Sequence, residues 1–427
     1  MYMRAGRGTT ARRGPPDPRP LTTGASMRAI YVDKSIPRAL AVKYGQRLWP
    51  GIVWSPLSHA RFADLPEPPL PGPRWVRVRN RQCGICASDL ALLLVRADPA
   101  AAPVALPGFA RLYLGHEVVG DVVEVGPGVT TVRLGQRVVM ESRFTGPTCL
   151  SQEIDPPCRH CAAGDTRLCE NASLGRGPVG VGGGWGDGYT AHESEVRAVP
   201  DDLDDDQASL VEPMAVALHA VLRRPPRDGE QVLVLGAGII GLLVVQCVRL
   251  VAPGCRLAVL ARYPHQAEAA RRLGADHVLG GREAYAQAAS LTGARHYRAP
   301  LNRGMLLGGF DVIYDCVGHG DTLHDALRWA RARGTVVMVG IDLSLVRLDL
   351  NPIWYQEVDL IGSHTFGTER LDGRTPHTFE LVIEHLRAGR LRDAGLITHR
   401  FPLREYRKAI AVARHKRTGV IKVMLVP

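Results

Sequence analysis

The sequence predicts a two-part α/β chain, an irregular barrel-like β domain followed by a doubly wound parallel sheet. Three observations predict it. From residue 27 to about 200, short β-rich segments are broken by Gly and Pro. From about 213 to 365, strand-like and helix-like segments alternate at the spacing of βαβ units. After the first strand of that second part a glycine-rich turn, GAGIIG, directly follows the apolar run 232–235.

Taken in order, residues 27–33 (MRAIYVD) read as a first strand, and VRVRN at Val76, YLGHEVVGDVVEVG around Leu114 and QRVVM at Val138 as further strands. The segment 36–63, with Trp49, Trp54, Pro37, Pro50 and Pro56, is a long link that either shapes a cleft or packs on the surface. Residues 202–223 change to a helical texture, DDDQASLVEP running into MAVALHAVLRR. QVLVLG, a helix through Val248, CRLAVLA, a helix through Leu273, DVIYDCVG, a helix through Arg331 and TVVMVGI then alternate. The expected organisation is a disordered tail or misassigned start over 1–26, a first domain over 27–212 with a cysteine lobe at 149–169, the parallel-sheet domain over 213–365, and a return to the first domain over 366–427.

The formal charge of +11 does not make this a nucleic-acid binder. Residues 1–26 hold five arginines against one aspartate, 48 of the 53 basic residues are arginine, and no basic block interleaved with aromatics occurs. The longest apolar run, 232–245, is too short for a membrane span and is interrupted by glycines. Residues 1–26 lack an apolar secretory core. Nine cysteines, four of them within twenty-one positions, suit metal ligation in a reducing compartment, so a cytoplasmic location is expected.

In GAGIIG, Gly236 permits a tight turn, Gly238 lets backbone approach a pyrophosphate, and Gly241 allows close helix–strand packing. Ile239 and Ile240 open the helix whose N–H groups face the phosphates. A merely tight strand-to-helix turn would carry similar glycines, but strand, glycines and helix together favour a dinucleotide. About 20 residues on, where an acid would accept the ribose 2′-hydroxyl of NAD, stand Ala261 and Arg262. A missing acid beside an arginine favours NADP over NAD.

Cys158, Cys161 and Cys169, with Cys149 upstream, offer four thiolates for a closed tetrahedral zinc, although eight residues separate Cys149 from Cys158. Cys86 in GICASD, His116 and Glu117 in GHE, and Glu212 in VEP form a dispersed second group. Singly each is ordinary; Glu212 would also suit a helix N-terminus. Three mixed ligands from separate segments would leave a fourth zinc position open, as catalysis needs.

With these residues in hand, the chain resembles the zinc-dependent medium-chain dehydrogenases, the family of alcohol, sorbitol, threonine and glucose dehydrogenases. GICASD, GHEVVG, the cysteine lobe, VEPMAVALHA, GAGIIG, LGAD at Leu273 and ITHRFPL at Ile397 occur in the family's order. The resemblance implies a GroES-like catalytic domain, a Rossmann domain and a zinc in the cleft between them. It implies Cys86, His116 and Glu212 as catalytic ligands, Glu117 as a neighbouring carboxylate, and Asp89 as the group orienting the ligand histidine. Ser88 resembles the hydroxyl that passes the substrate proton. The implied activity is hydride transfer between nicotinamide and an alcohol, polyol or sugar hydroxyl, or its carbonyl, with zinc as Lewis acid. The implied assembly is a homo-oligomer, dimer or tetramer. Two features depart from the family: Leu90, Ala91 and Leu92 stand where many members place a relay histidine, and the Cys149 spacing is longer than the compact pattern. A zinc-independent quinone or enoyl reductase would not need the cysteines, and a non-catalytic NADP-binding protein would not need the open metal site.

Overall fold

The computed structural model describes residues 26–96, 98, 111–141, 146–172, 179–298 and 304–427; the expected tail, apart from Ser26, lies outside them. The first part of the chain carries β1 (Ser26–Asp33), α1 (Ile36–Gly45), β2 (Ala60–Pro66), β3 (Trp75–Gly84), α2 (Ala87–Leu93), β4 (Arg111–Tyr113), β5 (Glu117–Val125), β6 (Arg137–Met140), α3 (Arg159–Ala162), β7 (Gly188–His192), β8 (Val196–Ala198), α4 (Asp205–Ser209) and α5 (Val211–Arg223). Then follow β9 (Gln231–Leu235), α6 (Ile239–Val251), β10 (Arg256–Leu260), α7 (Pro264–Arg272), β11 (His277–Leu279), α8 (Ala284–Thr292), β12 (Arg295–Tyr297), β13 (Met305–Leu307), β14 (Phe310–Asp315), α9 (Gly320–Trp329), β15 (Ala330–Met338), α10 (Asn351–Tyr355) and β16 (Asp359–Gly362). The chain closes with α11 (Thr378–Arg387), β17 (Ile397–Pro402), α12 (Tyr406–Arg414) and β18 (Lys422–Val426).

Strands β9, β10, β11, β14, β15 and β16 form a six-stranded, wholly parallel sheet in the order β11-β10-β9-β14-β15-β16. Counted along the chain this is 3-2-1-4-5-6, the doubly wound order whose ligand crevice opens where the order reverses, between β9 and β14. Its central strands are buried on both faces, which is why VLVL in β9 and VIY in β14 are continuous apolar runs with no polar alternation. The second large sheet is antiparallel around β3, in the order β17-β18-β3-β5-β6-β8 with β7 also on β3, and a smaller sheet runs β2-β1-β4.

The carboxy-terminal segment divides. α11, with Phe379, Leu381 and Val382, packs into the core around α5 and α6, whereas β18 pairs antiparallel with β3 and adds β17 to that sheet as a parallel neighbour.

Four local outcomes differ from the sequence reading. The helix expected through Arg331 stops at Trp329, because Ala330 pairs with Phe310 and enters β15. The helical stretch 202–223 is two helices meeting at Leu210, the first opened by an Asp204–Gln207 capping box and the second accepting Pro213 in its first turn. The long link 36–63 contains α1 and a short 3₁₀ turn over Pro50–Trp54. Its Val42, Ile52 and Val53 join the core that holds Leu90, Leu93 and Leu94 of the α2 region. A β12–β13 hairpin before β14 carried no distinct sequence signal.

Candidate active site

Cys86 lies two residues past Gly84, the last residue of β3, and Glu117 opens β5. The two strands pair antiparallel with Gly84 opposite Glu117, so ligand-type residues 31 positions apart in sequence become neighbours. The pairing needs glycine at 84: a Cβ there would stand 2.0 Å from Glu117 Oε2. One donor atom from each of Cys86, His116 and Glu117 converges within 4.8 Å. Ser88 Oγ donates to Cys86 Sγ at 3.1 Å. Asp89, buried in the first turn of α2, accepts from the Gly115 N–H at 3.0 Å and holds its other oxygen 3.3 Å from His116 Nδ1. Burial lowers the His116 pKa, but the charges of Asp89 and Cys86 outweigh it, and the net shift is upward.

Glu212, in the first turn of α5, is buried beside this group but outside the three-donor convergence. Burial raises its carboxyl to about 7, with His116 opposing and Glu117 adding to the rise. The sequence reading missed Lys422. On β18, fully buried, it donates to the Glu117 carboxylate and lies 3.4 Å from the Ile85 carbonyl, joining the two ligand-bearing segments. A signal existed: the chain has only five lysines, and two fall in its last twelve residues.

The second cluster is a four-thiol set. Donor atoms of Cys149, Cys158, Cys161 and Cys169 lie within 4.8 Å of one another. The spacer after Cys149 doubles back rather than extending: Ile154 N–H returns to the Cys149 carbonyl at 2.9 Å, and Gln152 ties to the Asn171 carbonyl at 3.0 Å. Burial raises the Cys158 thiol, yet the backbone N–H groups of Cys161 and Glu170 and thiol contacts with Cys161 and Cys149 bring it down to about 6. That chemistry fits a thiolate-bound cation.

At the crevice, Gly236 has φ 93°, and a Cβ on Gly241 would stand 1.8 Å from the Gly236 carbonyl oxygen, so both glycines are sterically required. Gly238 caps α6, and Ile239 and Ile240 form its first turn. Ala261 is buried just beyond β10. Arg262 is exposed next to it, its guanidinium 5.6 Å from the Tyr263 ring centroid and, among the described residues, with no carboxylate partner.

Two family signatures match: "Alcohol dehydrogenase GroES-like domain" over residues 72–201 and "Zinc-binding dehydrogenase" over residues 240–386. L-threonine 3-dehydrogenase of Chelativorans sp. is 32% identical over 359 residues, covering 83% of this chain and 92% of the relative. The chain belongs to the zinc-dependent medium-chain dehydrogenase family. Sorbitol dehydrogenase of Halalkalibacterium halodurans is 26% identical over 375 residues, covering 87% of this dehydrogenase and 96% of its own length. The crystal structure of 2R,3R-butanediol dehydrogenase from Bacillus subtilis superimposes with a TM-score of 0.68 at 26% identity, covering 94% of this dehydrogenase and all of that chain. This dehydrogenase is therefore a zinc-dependent, nicotinamide-linked oxidoreductase of the alcohol dehydrogenase type. Among its described residues, no helix is long and apolar enough to cross a membrane.

Proposed function

We propose that this dehydrogenase interconverts a small polar secondary alcohol, of the polyol or amino-alcohol type, and its carbonyl, using NADP in preference to NAD. The observation that carries the reading is the convergence of Cys86, His116 and Glu117 donors beside Ser88, on the barrel side of the cleft that GAGIIG faces. The relatives' named substrates, threonine, sorbitol and butanediol, share a secondary alcohol with a polar neighbour. Arg262 without a partnering acid, next to Ala261, supports the NADP preference.

In this reading Cys86 and His116 hold one zinc, with Glu212, buried beside them, as the third ligand that the family resemblance implies, and Cys149, Cys158, Cys161 and Cys169 hold a second, structural one. When bound, the first ion supplies Lewis acidity toward the substrate oxygen. Asp89 fixes the His116 ring through its 3.3 Å contact. Lys422 neutralises Glu117 and keeps that carboxylate from drifting, which leaves it a neighbour of the metal position. Ser88 Oγ, hydrogen-bonded to Cys86, sits where a hydroxyl can take or return the substrate proton. With Leu90, Ala91 and Leu92 unable to relay, that proton leaves by a route that bypasses a histidine on α2.

We further infer a homo-oligomer, dimer or tetramer, through the apolar surface of the connection from β15 to β16: Leu345 is 69% and Trp354 80% exposed, with Ile341, Leu350 and Tyr355 also exposed. A cytoplasmic setting is supported by nine free thiols with no disulfide. The deciding test pairs elemental analysis of the purified protein with fluorescence titration by NADPH and NADH, followed by a substrate screen over polyols, amino alcohols and their ketones. About two zinc per chain with tighter NADPH binding is expected; one zinc or none, or tighter NADH binding, overturns the corresponding part.

A further inference from the structure

Between the link 36–63, β1 and α12 lies a cavity of about 440 Å³. Buried Ile30 and Val53 form its apolar base, and neither the metal-type residues nor the glycine turn takes part in its wall. Tyr406 centres an aromatic cluster in that wall. Its ring lies 5.5 Å from that of Trp54, edge-on at 78°, and 4.7 Å from that of Phe62, stacked at 29°. Phe62 is 39% exposed, so the cluster keeps ring surface open rather than closing on itself.

The guanidinium groups of Arg38, Arg61 and Arg407 stand in the same wall, and no acidic side chain lines it. Arg38 and Arg61 share one carboxylate, Asp33, at 3.6 and 3.8 Å, beyond hydrogen-bond distance. Arg407 has no carboxylate partner among the described residues. Its guanidinium lies 5.7 Å from the ring centroids of both Trp54 and Tyr406, and its Nε donates to the Tyr406 hydroxyl at 3.1 Å. The result is an excess of positive charge beside open aromatic rings. Rings take a planar apolar body, and guanidiniums take an anionic group. A neutral aromatic would leave the charges unpaired, and an inorganic anion would leave the rings in water. The amino-terminal segment of the chain is not the complement, because residues 1–25 carry five arginines and one aspartate.

We propose that this cavity is a binding site, separate from the catalytic cleft, for a small aromatic anion: a planar ring system bearing a carboxylate or phosphate, packed against the Trp54–Tyr406–Phe62 cluster with its anionic group on Arg38 and Arg407. The volume falls within the range of small-molecule sites, roughly 300–1,000 Å³. Arg38, Trp54, Arg61 and Phe62 all belong to the link 36–63, so the link shapes a ligand cavity as well as packing on the barrel. The site is independent of the metal and dinucleotide readings.

The test is isothermal calorimetry on the full chain saturated with NADPH, using 1-naphthoate, 1-naphthyl phosphate, the neutral 1-naphthamide and inorganic phosphate as probes. At least one aromatic anion is expected to bind one per chain, at least tenfold tighter than 1-naphthamide or inorganic phosphate, and the tighter of the two identifies the anionic group. Arg38→Gln and Arg407→Gln should each weaken it about tenfold, the scale of one charge-assisted hydrogen bond. Both side chains are exposed, so the ligand-free melting temperature should not move. Cys86→Ala, which alters the cleft, should leave the affinity within about twofold. The proposal is overturned if neither aromatic anion binds at millimolar concentration, if 1-naphthamide or inorganic phosphate binds as tightly, or if both arginine variants bind as wild type does. Loss of affinity in Cys86→Ala instead would put the probe in the cleft and overturn it equally.

Discussion

Single side chains divide into those that hold chemistry at the cleft and those that hold the fold elsewhere. Cys86 and His116 flank strands β3 and β5, whose pairing is made by backbone, so Cys86→Ala and His116→Ala should reduce kcat at least a thousandfold while shifting the melting temperature little. Turnover comparable to wild type in either variant would remove the ligand assignment. Cofactor choice turns on Ala261: Ala261→Asp places an acceptor at the end of β10, and the ratio of kcat/KM for NADH over NADPH should rise at least tenfold in steady-state assays. A residue of the other kind is Glu193. It is 2% exposed, and burial would raise its pKa. The Thr130 N–H, Arg74 and the Thr131 N–H and hydroxyl outweigh this and lower it to about 2. Since the folded pKa lies below the ordinary 4.5, the stabilisation is present above about pH 4.5 and fades as pH falls toward 2. Glu193→Gln should therefore cost about 2 kcal/mol at pH 7 in urea titrations and flatten the acid limb of stability against pH; an unchanged limb would contradict the assignment.

At the level of elements, the cysteine lobe and the link 36–63 are both additions to the barrel, held by different forces. The lobe has a short helix and few apolar residues, so its order depends on the four thiols and on docking contacts such as Thr368 Oγ1 to the Gly164 carbonyl at 3.1 Å. Cys161→Ser should lower the melting temperature by several degrees and open the lobe to limited proteolysis, with kcat falling less than in Cys86→Ala. Loss of turnover without loss of stability would assign the lobe a different role. The link 36–63 instead packs its apolar residues and donates from Gln46 to the Leu94 carbonyl at 2.8 Å, with His59 near the Leu92 carbonyl at 3.2 Å, bracing the end of the helix that carries Ser88 and Asp89. Its helix was not legible in advance because only Val42 of its ten residues is buried, which leaves no apolar period to read.

For the whole molecule, two sheets meet at a cleft whose walls come from distant parts of the chain: β3 and β5 on one side, the β9–α6 turn on the other, and the segment from α12 to β18 between them. The apolar surface around Trp354 lies in the connection from β15 to β16, and a second copy would continue burial there. Trp354→Glu should convert the oligomer to smaller species in light scattering at micromolar concentration while keeping the fold. An unchanged mass would relocate the interface.

The sequence by itself determined the periodic parts: the parallel sheet from its apolar runs and alternation, the glycine turn from spacing, and the metal-type residues from motifs whose chemistry is local. Tertiary structure decided what depends on pairing across the chain. It decided that Glu117 lies opposite Gly84 and is neutralised by Lys422. It brought Cys149 back to its partners through a folded spacer, left Glu212 beside rather than within the three-donor group, and set Tyr406 against Trp54 and Phe62. Patterns of two and 3.6 residues encode which face of an element is buried, because burial acts on each element separately. Which two elements share a charge or a ligand is set by the closure of long loops, and no local period records it.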